Sequence, residues 1–262
     1  MRVCARDGCV RTPSWFGRHP GLQVDGRWYC SVTCVETMAR MRLLDARQVS
    51  GGLPSAGHLR LGVWLRTLGV SAAQIDDALT AQRTTRLRLG AQLITLGMAT
   101  EEMVLEALAR QSGANYVTHV DPAVVRHAPG GLSADAVRAL CLVPITRPQR
   151  GRVRVACAGP VPRVALAAFA RITGLVPEPC VVTDAVYETL AAAYGSEATR
   201  QETAEFYASS DLGDAIRYIA AAAAHDNSAR VTETRLAPLT WVRVKSDTGV
   251  RDVVWREPGQ EG

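Results

Sequence analysis

Residues 60–82 read RLGVWLRTLGVSAAQIDDALTAQ, and residues 88–111 read RLGAQLITLGMATEEMVLEALARQ. The two stretches are copies. Arg60-Leu61-Gly62 matches Arg88-Leu89-Gly90, Leu65 matches Leu93, and Thr67-Leu68-Gly69 matches Thr95-Leu96-Gly97, all at an offset of 28. Past that glycine the offset is 29: Ala78-Leu79 matches Ala107-Leu108, and Gln82 matches Gln111. Each copy predicts two short helices. The first stops at Gly69 or Gly97, in the position of a C-terminal glycine cap. The second opens at Ser71 or Thr100. Ser71 and Gln74 have capping-box spacing, and Glu101 and Glu102 suit the positive end of a helix. Ile75, Ala78, Leu79 and Val104, Ala107, Leu108 recur at helical spacing and mark buried faces. One copy is too small to bury its own face, so two should pack as a pseudo-symmetric pair.

Each copy also offers a guanidinium, a glycine where backbone can be approached closely, and a glutamine amide. Arginine forks two hydrogen bonds to guanine O6 and N7, or stacks on a base. Glutamine supplies a donor and an acceptor. A ligand with two guanines and two phosphates would suit such a duplicated site.

With its five-residue spacer, Arg83 to Leu87, the repeat resembles the tandem motif RLGxxΦΦxxGΦΦxxxxLxxxLxxQ of the MshEN domain. That domain stands at the N-terminus of type II secretion and type IV pilus assembly ATPases. The resemblance runs over residues 59–195 and implies a tandem helical half, an α/β half, and binding of cyclic di-GMP. The ligand-binding residues it implies are Arg60, Leu61, Gly62, Leu65 and Gln82 in the first motif. In the second they are Arg88, Leu89, Gly90, Leu93 and Gln111. This chain departs from the pattern at Arg66, which takes an apolar place, and after Val70, where one residue is missing. It also reads Ala158-Gly159-Pro160 where many members carry Ala-Asp-Pro, whose Asp can contact the ligand.

The front of the chain carries Cys4-x4-Cys9 and Cys30-x3-Cys34. Two close cysteine pairs separated by a loop can converge on one tetrahedral Zn²⁺. Asp7-Gly8 makes the turn that folds Cys9 back, Gly26 marks a hairpin, and Ser31 N-caps a helix that carries Cys34. The WYCSVTC ending resembles treble-clef or zinc-ribbon fingers. A Cys4 site leaves no open position, so the zinc read here is structural. The competing reading is reduced core cysteines or an oxidised pair; His19 is a further candidate ligand. Cys141, Cys157 and Cys180 sit singly in apolar contexts and read as core.

The 262 residues carry a net charge of +5, and a surplus of four positive charges lies in residues 1–50. Zinc held by four thiolates would offset half of that surplus, so the balance does not point to nucleic acid. Lys245 is the sole lysine, so no phosphate-binding GxxxxGK[ST] loop exists in these residues. No Ser/His/Asp or Cys/His arrangement has supporting context, and Asp76-Asp77 reads as a solvated helix face. The N-terminus MRVCARDGCVRT has no apolar signal region, and no apolar run approaches the roughly 20 residues of a membrane span. The expected location is cytoplasmic.

The fold expected is α+β. Residues 1–47 form a Cys4 zinc finger with its following helix, and 48–57 a linker. The MshEN-like domain occupies 58–195, with tandem helical motifs at 58–113 and the α/β half at 114–195. A polar linker follows at 196–210. The tail, 211–262, has one helix whose face carries Leu212, Ile216 and Ile219, then strands at 229–236 and in a hairpin closed by Asp247 to Gly249. Trp241 and Trp255 read as hairpin core. The function expected is a non-enzymatic cytoplasmic regulator that binds cyclic di-GMP, carries structural Zn²⁺, and meets a protein partner in type II secretion or type IV pilus assembly. The alternative is an interaction adaptor of such a machine with a degenerate nucleotide site.

Overall fold

The structure is a computed structural model and describes residues 3–12, 21–46, 60–126, 132–194, 205–226, 228–236 and 239–257. His19, the linker expected at 48–57 and residues 196–204 of the second expected linker lie outside the described residues. The fold is α+β, with a finger, a helical half, an α/β half and a small sheet at the tail.

The finger opens with an antiparallel hairpin, β1 (Leu22–Val24) and β2 (Arg27–Tyr29). Asp25 and Gly26 turn it with φ of 52° and 70°, the left-handed pair that a two-residue hairpin loop requires. Helix α1 (Val32–Leu44) follows, and the Ser31 side chain accepts from the Cys34 amide as its N-cap.

The repeat forms four helices: α2 (Leu61–Thr67), α3 (Ala72–Thr85), α4 (Leu89–Thr95) and α5 (Glu101–Ser112). Ser71 and Gln74 make the full capping box, and Thr100 accepts from the Met103 amide. Gly69 and Gly97 follow the C-caps of α2 and α4 with φ of 102° and 68°. The short helix of each copy leans on the long helix of the other: α2 packs on α5 and α4 on α3. The two copies are not equally buried. Helix α5 is covered by α2 on one side and by the α/β sheet on another, and it buries Val104, Leu105, Ala107, Leu108 and Ala109. Helix α3 buries only Ile75 and Ala78. Leu79, expected in the core, is 43% exposed because no sheet covers that side of α3.

The α/β half has strands β3 (Asn115–Tyr116), β4 (Val143–Pro144), β5 (Arg152–Ala158) and β6 (Val176–Val182). Its helices are α6 (Ala134–Leu140), α7 (Arg163–Thr173) and α8 (Asp184–Tyr194). The sheet order is β3-β6-β5-β4; β6 runs parallel to β3 and β5, and β4 is antiparallel to β5. Cys157 and Cys180 are fully buried here, and burial pushes the Cys157 thiol up to about 12, so it stays neutral. Cys141 is not core. It ends α6 in the left-handed conformation at φ 53°, which turns its side chain outward while Leu140 and Leu142 take the buried places. After this cap the chain passes into the short strand β4.

The tail sheet has order β7-β10-β9-β8, from β7 (Glu205–Ser209), β8 (Arg230–Leu236), β9 (Leu239–Ser246) and β10 (Gly249–Arg256). Residues 205–209, expected as linker, are a strand because β10 pairs with them in parallel. Helix α9 (Leu212–Ala224) covers one face of this sheet, meeting Val242, Val244, Val253 and Trp255. The opposite face, with Trp241 and Val254, packs against the α/β half.

The finger and the tail share one hydrophobic core. Val35, Met38, Ala39 and Leu43 of α1 cluster with Ala215, Ile219 and Ala223 of α9. Polar contacts hold the same seam. The Asp25 amide donates to the Ala229 carbonyl at 2.8 Å, and Asp25 Oδ1 accepts from the Val231 amide at 2.8 Å. Arg42 reaches Asp25 and Glu233, each at 2.6 Å.

Candidate functional site

Two constellations stand out. The first is the thiol cluster. Cys4 enters on the chain's first described segment, Cys9 follows the Gly8 turn, Cys30 follows β2, and Cys34 lies in the first turn of α1. All four sulfurs lie within 4.8 Å of one another. Cys30 Sγ is 3.5 Å from Cys34 Sγ and 3.7 Å from Cys9 Sγ, and the Cys30 amide donates to Cys4 Sγ at 3.4 Å. A tetrahedral site with Zn–S bonds near 2.3 Å needs sulfurs roughly 3.8 Å apart. The spacing fits a metal and is too long for disulfide bonds; all four cysteines are free. Burial, then hydrogen bonds with the Cys34, Cys9 and Cys4 thiols, push the Cys30 thiol up to about 12. Four thiolates this close require a bound cation. Such a cation would be held by all four sulfurs and would supply crosslinking, with no position left for substrate.

The second constellation is a cleft of ≈ 410 Å³ between the helical half and the α/β half. That volume lies within the range of small-ligand sites. Its helical wall carries Leu61 and Gln82 from the first motif, and Arg88, Leu89, Gly90 and Gln111 from the second. Ala91, Ile94, Glu101, Val104, Leu105 and Leu108 complete that wall. The opposite wall is Gly159-Pro160 and Val182-Thr183-Asp184. Strands β5 and β6 run parallel with Ala158 opposite Val182, so both groups stand just past the carboxyl ends of neighbouring strands. Ligands of open parallel sheets gather there.

Arg88 sits at the N-cap of α4 in extended conformation, and its side chain makes no cap hydrogen bond. The guanidinium is therefore available, and it crosses to the far wall. A β-carbon built on Gly159 would lie 3.1 Å from Arg88 Nη1. Arg60 holds the same backbone conformation at the N-cap of α2 but does not line the cleft. Neither does Gly62. Leu65 and Leu93 are both 0% exposed, sealed in the helical core, and present no surface to a ligand.

The glycine of the second motif, and not that of the first, has a packing role as well. A β-carbon on Gly90 would lie 2.6 Å from Val104 Cγ1, whereas one on Gly62 would meet Ile75 at 3.6 Å, an ordinary contact. Gly90→Ala should therefore destabilise the fold by about 1–3 kcal/mol through overpacking against a stiff β-branched side chain. Gly62→Ala should be neutral or stabilise by up to about 1 kcal/mol, because alanine favours the helix. Urea unfolding of both variants checks this, and equal effects would contradict the crossing geometry.

Of the far wall, residues 158–160 were expected near a ligand from the resemblance, whereas Val182, Thr183 and Asp184 were not. The signal available was the pair of strand ends at residues 158–160 and 182–184, since parallel strands predict a crevice there. It could not be used without knowing that β5 and β6 are neighbours.

The two-part arrangement, tandem helices against an α/β sheet with the repeated motif on the dividing cleft, is the one that the resemblance to the MshEN domain implies. No family model matches the chain, and no curated protein matches it. Among solved structures, "Structure of MshE with cdg" aligns at 29% sequence identity over 52% of this chain and 96% of that chain, with a TM-score of 0.42. The N-terminal domain of XpsE aligns in two crystal forms. One is 19% identical over 53% of this chain and 99% of that chain, with a TM-score of 0.38. The other is 22% identical over 51% and 93%, with a TM-score of 0.31. No helix among the described residues is long and apolar enough to cross a membrane.

Proposed function

We propose that the cleft binds cyclic di-GMP and that the chain is a non-enzymatic regulator, cytoplasmic, serving a type II secretion or type IV pilus machine. Zinc at Cys4, Cys9, Cys30 and Cys34 would be its structural metal. The observation that carries the reading is the convergence of six motif residues on one cleft, with the Arg88 guanidinium laid over Gly159 past the end of β5. Apolar walls from Leu61, Leu89, Ile94 and Leu108 suit a base, and the arginine and glutamines suit its edges and the phosphates. The ligand would touch both halves, so binding would favour their closed arrangement and alter the surface offered to a partner protein.

Calorimetric titration with cyclic di-GMP, with GTP and ATP as controls, tests the assignment. Arg88→Ala should weaken cyclic di-GMP binding tens-fold, the loss of a charged hydrogen bond worth about 1.5–3 kcal/mol. Unchanged affinity in that variant would remove Arg88 from the site.

A second reading, an interaction adaptor without nucleotide, is favoured by one observation. Arg60, the first motif's own guanidinium, lies outside the cleft, so the repeat does not present two equal half-sites. Absence of heat at high ligand concentration would establish that reading.

A further inference from the structure

We propose that Asp184 selects guanine over adenine in the cleft, an inference that rests on the cyclic di-GMP reading above. Asp184 is the first residue of α8 and lines the cleft beside Thr183, whose hydroxyl already caps that helix by accepting from the Val186 amide. The Asp184 carboxylate is thus not engaged in capping. It is exposed, and among the described residues neither this carboxylate nor the Arg88 guanidinium makes an ion pair or hydrogen bond, with each other or elsewhere. An acceptor-only group and a donor-only group therefore stand at the same strand ends, Asp184 past β6 and Arg88 over Gly159 past β5.

Guanine complements that pair. Its O6 and N7 accept from an arginine fork, and its N1–H and N2–H2 donate to a carboxylate. Adenine presents an unprotonated N1 in place of the N1–H and lacks the N2 amine, so a carboxylate there faces a lone pair. A site that hydrogen-bonds a donor strongly rejects an analogue that lacks it, because the site's own polar group is left unpaired. Glu101 is the other acid on the cleft, but it opens α5 on the helical wall and is not at the strand ends.

The test is calorimetric titration of the full chain and of Asp184→Asn, Glu101→Gln and Glu188→Gln with cyclic di-GMP and cyclic di-AMP. Glu188 is exposed on α8 one turn beyond Asp184 and outside the cleft, so it controls for the loss of one negative charge. With the unchanged chain binding cyclic di-GMP, Asp184→Asn should weaken that binding about tenfold or more and narrow the preference over cyclic di-AMP. Glu188→Gln should change neither. Full affinity and selectivity in Asp184→Asn overturns the inference while the cleft reading stands, as does a loss that follows Glu101→Gln instead. No binding by the unchanged chain overturns both.

Discussion

Asp252→Ala should lower the unfolding free energy by about 3–5 kcal/mol, the cost of breaking a buried ion pair by removing its acid. Asp252 stands directly opposite Arg243 across β10 and β9, on the face of the tail sheet that meets the α/β half. The two side chains are 0% and 6% exposed. Arg243 donates from Nε at 2.8 Å and from Nη2 at 2.7 Å, and Trp241 Nε1 adds a third bond to the same carboxylate at 2.9 Å. Removing the acid leaves a guanidinium in a low-dielectric seam. A domain of this kind is stable by only about 5–15 kcal/mol in total, so the loss is a large share. Replacing both residues together, as Arg243→Leu with Asp252→Leu, should cost far less, because no buried charge remains there. Urea unfolding followed by tryptophan fluorescence gives both numbers. A midpoint for Asp252→Ala equal to that of the unchanged chain would mean that the seam is wet in solution.

Removing metal should have the second large effect, and it should reach the far end of the chain. Structural zinc contributes about 10–16 kcal/mol of apparent binding free energy in small finger peptides, comparable to the whole stability of a domain. The finger has no core of its own to fall back on, since α1 and α9 bury the same apolar residues and Arg42 ties Asp25 to Glu233 across the seam. The purified chain should contain about one zinc by metal analysis. Chelation, or Cys34→Ser, should lower Tm by more than about 10 °C, at roughly 2–4 °C per kcal/mol for a chain of this size. Amide exchange in α9 and β8 should rise along with that in α1. A metal-free chain with unchanged Tm would refute the zinc assignment. Unchanged exchange in α9 despite metal loss would show that the tail stands without the finger.

Much of the architecture was legible in the residues because it rests on local chemistry. Ser71 with Gln74, Thr100, Gly69 and Gly97 set the ends of the repeat's helices through hydrogen bonds that close within four residues. The Cys4-x4-Cys9 and Cys30-x3-Cys34 spacings foretold a cluster because short loops allow few other arrangements. The errors lie where burial depends on a distant neighbour. Leu79 and Leu108 occupy equivalent places in the two copies, yet only Leu108 is buried, because the α/β sheet covers α5 and leaves α3 open. Cys141 looked apolar in context, but its left-handed cap turns it out. Residues 205–209 form a strand only because β10, some forty residues later, supplies the pairing edge.

The same division holds for the site. By itself the sequence determined the duplicated motif, the four thiols and the absence of a phosphate-binding loop in these residues, since each is a matter of residue type and spacing. Only the tertiary structure decided that Arg88 and not Arg60 reaches the cleft, and that Gly159, Thr183 and Asp184 form its far wall. It also decided that the finger closes on the tail. The physical reason is that parallel pairing of β5 with β6 and the packing of α1 on α9 join residues far apart in the chain. Long-range burial selects those partners, and a local pattern carries no record of them.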